Sequence, residues 1–139
     1  MVGAALLIAT GAPFARGAAS ATHHADHLLR GHMFTRFTES GALGSSYDER
    51  LHLCSSHRFV FDTVSNLPEA GTTTTKRTRG TWRVVSAHFT RGGRSGSARV
   101  RGVPSNGTRP IVVTFTLRAN GQVELNGSAV AVGRSDLCR

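Results

Sequence analysis

The sequence predicts an all-β fold, a single antiparallel up-and-down β-barrel of about eight strands. Three observations predict it. From Leu29 onward apolar residues recur with period two and are rich in β-branched and aromatic types. Gly, Asn and Ser breakers interrupt that alternation at short, regular intervals. Two Asn-Gly dipeptides, Asn120-Gly121 and Asn126-Gly127, stand between apolar runs near the C-terminus, where they supply hairpin turns.

The chain has 139 residues, 39% of them hydrophobic, which suits one domain with one core. No apolar run approaches the roughly 18 residues of a transmembrane helix. Val2 to Ala12 is an apolar stretch of signal-peptide length, followed by Pro13 and small residues ending Ala19-Ser20-Ala21. That pattern fits an export signal cleaved after Ala21. The expected organisation is therefore a signal peptide over 1–21, a mobile His-rich tail over 22–28, and the β-barrel domain over 29–139. The expected location is secreted or in the cell envelope.

The first strand is expected near Met33 to Thr38. The clearest one runs from Tyr47 to Cys54, with Tyr47, Glu49, Leu51 and Leu53 on one face and Asp48, Arg50, His52 and Cys54 on the other. Ser55-Ser56-His57 turns the chain into an aromatic strand carrying Phe59 and Phe61. Residues 65–76 read as a long Thr-rich loop. Trp82 and Val84 then face inward while Arg77, Arg79, Thr81 and Arg83 face outward, the arginines on that strand standing about 6 to 7 Å apart at each two-residue step. Strands follow near Ala98 to Val103 and along Ile111, Val113, Phe115 and Leu117. Asn120-Gly121 is expected to give both positive-φ positions of a type I′ turn before Val123 and Leu125, and Ser128 to Val132 closes the series. Eight tilted strands enclose an interior that side chains fill or that holds one small ligand.

The segments YDERLHLCSSHRFVFD, GTWRVV and TFTLRANGQVELNGSAVAV resemble those of small exported bacterial proteins with a lipocalin-like, calycin-type β-barrel. The likeness covers most of residues 28 to 132. It implies a barrel able to enclose a small apolar molecule, and it implies no activity.

Cys54 and Cys138 are the only cysteines. An even count in an exported chain is read as a disulfide. No Cys/His spacing supports structural zinc. Catalytic signals are weak: Gly93-Arg94-Ser95-Gly96 is one residue short of a nucleophile elbow, and Asp48 and Glu49 point to opposite faces of one strand. The chain is expected to bind and not to catalyse, with no cofactor. Tyr47, Glu49 and Trp82 are the candidate ligand-binding residues, Glu49 needing an Arg or Tyr partner if it is buried.

Charge is the strongest asymmetry. The formal net charge is +9, and Ala70 to Val123 contains no acidic residue but Lys76 and nine arginines. Arg77, Arg79, Arg83, Arg99 and Arg101 form a candidate anion-binding face, since guanidinium forks grip phosphate and carboxylate bidentately. The expected partner is an anionic envelope polymer or glycan, or a small apolar ligand. Export argues against nucleic acid. A structural or inhibitory envelope protein is a further alternative. Another is copper or nickel binding: after cleavage, the Thr22 amine, two amide nitrogens and His24 would complete a square-planar set, with His23 and His27 nearby.

Overall fold

The computed structural model describes residues 12–40 and 44–138. The apolar segment read as the core of an export signal lies almost entirely outside them. A helix, α1 (Ala12–Leu29), is followed by β1 (His32–Ser40), β2 (Ser45–Leu53), β3 (Arg58–Leu67), β4 (Thr72–Phe89), β5 (Gly96–Pro104), β6 (Ile111–Leu117), β7 (Val123–Leu125) and β8 (Ser128–Arg134). Each strand pairs antiparallel with the next, and β1 pairs with β8, so the sheet is one closed eight-stranded barrel. Closure leaves no long free edge.

Residues 22–28 are not a tail. They form the last turns of α1, and the buried side chains of Ala25 and Leu29 join the core. The polar, His-rich run hides an i, i+4 apolar pair, and that pair is the stripe a helix needs to seat on the barrel. Packing begins near Ala21, while Gly17, Ala19 and Ser20 are exposed. Gly31, at φ +79°, ends the helix in the left-handed conformation, and its N–H donates to the Leu53 carbonyl over 2.6 Å. Asp26 accepts from His57 Nε2 over 2.6 Å, and the His24 ring stands edge-on to Phe89 with centroids 4.7 Å apart. The helix therefore closes one end of the barrel.

Residues 65–76 are not a loop either. β3 runs to Leu67, a single 3-10 turn spans Pro68–Ala70, and β4 starts at Thr72. Threonine is β-branched and favours strands, but an all-polar stretch shows no alternation to betray one. Turn chemistry also departs from expectation at one place. Asn126 and Gly127 both have positive φ, 49° and 83°, as a type I′ turn requires, whereas at the preceding hairpin only Gly121 does. There Arg118 N–H donates to Gln122 O and Gly121 N–H to Arg118 O, a longer connection that needs one left-handed residue.

Below the middle of the barrel, toward α1, the interior is solid. Phe115 is fully buried, its ring 4.7 Å from that of Phe34, with Leu29, Ala98 and Val100 packed around them. Two glycines make room for a third ring. A Cβ on Gly80 would lie 2.1 Å from the Val103 carbonyl oxygen and 2.6 Å from Phe59, and one on Gly102 would lie 3.1 Å from Phe59. Phe59 thus lies over two bare backbone positions on β4 and β5.

Candidate functional site

Above that floor the barrel is hollow. A cavity of about 220 Å³ is walled by Leu51, Leu53, Phe59, Phe61, Trp82, Val100 and Val113, with Leu125, Ile111 and Asn126 toward the open end. It opens away from α1, among the connections that follow β5 and β7. Period two explains the wall: the inward positions of β2 and β3 are apolar at 51, 53, 59 and 61, while the outward ones at 50, 52, 58 and 62 are polar or charged.

Two charged side chains interrupt this wall. Arg36 and Glu49 are register partners on β1 and β2, both line the cavity, and they form an ion pair. Glu49 therefore has the arginine partner its inward position calls for. Sequence reasoning missed Arg36, because Met33, Thr35 and Phe37 compete with Phe34 and Arg36 for the inward face. The phase of β1 is ambiguous, and the structure leaves Phe37 well exposed. Trp82 lines the cavity as expected, and its indole N–H donates to the Cys54 carbonyl over 3.0 Å. Tyr47 does not line it. Two residues before Glu49 on β2, it stands half-exposed where the strands project past the mouth.

On the outer surface the arginine row divides. Arg77 donates through Nε and Nη2 to the two oxygens of Asp62, both over 2.6 Å. These bonds and the attraction of Arg77 hold the Asp62 carboxyl below its ordinary value despite burial. Arg77 is thus committed to an internal partner and not free for an anion. Beside this pair His52 is buried although it points outward, because Ser135 in the C-terminal segment shares a 2.7 Å hydrogen bond with its Nδ1. Burial pushes the imidazole below its ordinary value, opposed by Asp62 and Asp136.

Arg79, Arg83, Arg99 and Arg101 have no carboxylate partner among the described residues, whereas Arg30, Arg36, Arg50, Arg77 and Arg118 each have one. Arg83 and Arg101 stand directly opposite one another on β4 and β5. Like charges so placed repel. Val85, Val103 and Val112 are exposed among them.

Cys54 and Cys138 form a disulfide across 84 positions, which draws the C-terminal segment over β2 and β3. The Cys54 sulfur is thereby unavailable as a nucleophile beside His57. His23, His24 and His27 lie on α1, with His24 turned to the barrel, its Nε2 3.4 Å from the Gly93 carbonyl oxygen. Among the described residues no three His, Cys, Asp or Glu side chains converge as a metal site, and no helix is long and apolar enough to cross a membrane.

Fold and cavity together define a closed eight-stranded antiparallel barrel, plugged by a helix at one end and hollow at the other. No family model, curated protein or solved structure matches the chain.

Proposed function

We propose that this protein binds one small amphipathic molecule, with an apolar body inside the barrel and a polar end at Arg36 and Glu49. The observation that carries the reading is an apolar cavity whose wall is broken by a single inward-facing ion pair. Its volume of about 220 Å³ lies below the roughly 300 to 1,000 Å³ of sites for drug-sized ligands. A short alkyl chain or a single ring is therefore the occupant. Arg36 meets Glu49 through Nη2, without the two-point fork that ties Arg77 to Asp62, and its remaining N–H donors favour a carboxylate or similar anion as the head. The resemblance to lipocalin-like exported barrels supports a small apolar body inside the barrel. The signal-like residues 1–21 and the disulfide support work outside the cytoplasm.

Trp82 is the only tryptophan and lines the cavity, so its fluorescence reports occupancy. Titration with octanoate is expected to give a saturable change in emission. Val113→Phe, which fills the cavity, abolishes it, and Arg36→Gln removes the preference for octanoate over octanol. Emission that stays constant with octanoate, octanol and octylamine alike would refute the reading.

A second reading, of an anionic polymer lying along Arg83, Arg99 and Arg101, draws on the unrelieved opposition of Arg83 and Arg101. Retention on a polyanion column should then fall steeply with salt. The double change Arg83→Gln and Arg101→Gln should abolish most of it; unchanged retention counts against this reading.

A further inference from the structure

A second recess lies on the outside of the barrel, where the C-terminal segment crosses β3 and β4. Its volume is about 340 Å³, and its lining includes Arg58, Arg79, Ser55, Ser56, Leu137 and the disulfide. The register places Arg58 opposite Thr81 and Val60 opposite Arg79. Arg58 and Arg79 are therefore diagonal neighbours on one outward face, with Cα atoms about 7 to 8 Å apart and Cβ atoms somewhat closer. One anion between them is within reach of both guanidinium groups.

Neither arginine has a carboxylate partner among the described residues. The nearest outward acid on β3, Asp62, gives both oxygens to Arg77. Ser55 and Ser56 add two exposed hydroxyl groups from the turn that ends at His57, itself held at φ +62°. Leu137 supplies an apolar wall, and the bridge from Cys138 to Cys54 fixes that wall in place.

We propose that this crevice is an oxyanion site: a phosphate or sulfate ester binds with its anionic group between Arg58 and Arg79 and its organic part against Leu137. The site stands on the opposite face of the sheet from the barrel cavity and does not depend on the cavity being occupied. Two forks and two hydroxyls suit a tetrahedral group with several acceptor oxygens. A bound anion offsets the repulsion of two adjacent cations.

The test uses the full oxidised chain and follows the arginine Nε–H resonances during titration with inorganic phosphate, inorganic sulfate and phenyl phosphate. The Arg58 and Arg79 signals are expected to shift saturably with one common Kd, and phenyl phosphate should bind more tightly than phosphate because of Leu137. A stronger response to phosphate than to sulfate assigns a phosphate ester, and the reverse a sulfate ester. Arg58→Gln and Arg79→Gln should each weaken binding about tenfold or more, while Arg109→Gln leaves it unchanged. Cys138→Ser, which frees the wall, should also weaken it. Linear, unsaturable shifts of the same size at Arg83 and Arg101 would overturn the proposal, as would equal losses in Arg109→Gln. Full affinity in Cys138→Ser would place the anion outside the crevice and overturn it too.

Discussion

The indole N–H of Trp82 donates to the backbone carbonyl of Cys54 over 3.0 Å, and this buried bond joins the cavity wall to the residue that carries the disulfide. Through it the C-terminal segment, the turn after β2 and the interior of the barrel form one connected unit. A ring contact strengthens the junction, since the His57 and Trp82 centroids lie 5.0 Å apart.

Breaking the bridge should therefore be felt in both stability and spectrum. In the chain-entropy model, a closed loop of 84 residues stabilises by at most roughly 4 to 5 kcal/mol. Cys138→Ser is expected to lose a large part of this in denaturant unfolding, and to alter the emission of Trp82. Intact mass should show the unreduced wild-type chain two hydrogens lighter than the reduced one.

Leu29 is 2% exposed at the end of α1, inside the barrel. Leu29→Ala should cost about 2 to 5 kcal/mol, as large-to-small changes in cores do. His23, exposed on the same helix, should tolerate alanine within about 0.5 kcal/mol. A neutral Leu29→Ala would mean that the helix does not seal the barrel.

Gly80 has no room for a side chain, because an added Cβ would meet the Val103 carbonyl and the Phe59 ring. Gly80→Ala should destabilise by about 1 to 3 kcal/mol or more through forced backbone and ring shifts. Gly102→Ala, which meets only Phe59 at 3.1 Å, should be milder. Equal losses at the two positions would contradict this ordering.

Stability should fall with acid in two stages. His52 sits below its ordinary 6.5 in the fold, so folding favours the neutral ring. That contribution is complete above 6.5 and is lost as pH drops from there toward the depressed folded value. Asp62 sits below its ordinary 3.8, held first by its hydrogen bonds from Arg77. Its contribution is present above 3.8 and disappears only as pH falls through the lower folded value. Unfolding temperature measured from pH 8 to 3 should show both declines. His52→Gln should remove the first, and Asp62→Asn should remove the second while lowering the unfolding temperature by several degrees at pH 7. A flat profile for the wild type between pH 7 and 5 would contradict the placement of His52.

The sequence by itself determined the barrel, the inward face of β2 through β4, the pairing of the two cysteines and the partner-seeking position of Glu49. All of these rest on period-two alternation, on Asn-Gly turns or on an even cysteine count, signals that are local or arithmetic. The tertiary structure alone decided that Ala25 and Leu29 plug the barrel, because two apolar residues in a polar run acquire meaning only when a surface waits to receive them. It alone set the phase of β1, where apolar residues occupy both faces and only pairing with β2 and β8 chooses between them. It extended β3 and β4 through the threonines, whose strand preference carries no alternation to read. The division of the arginines was likewise beyond the sequence. Alternation says that Arg77, Arg79 and Arg83 point outward, but the cross-strand register places Asp62 beside the first, leaves Arg58 diagonal to the second, and sets Arg101 against the third. Register is a contact between distant segments, and no local pattern encodes which neighbours a strand will meet.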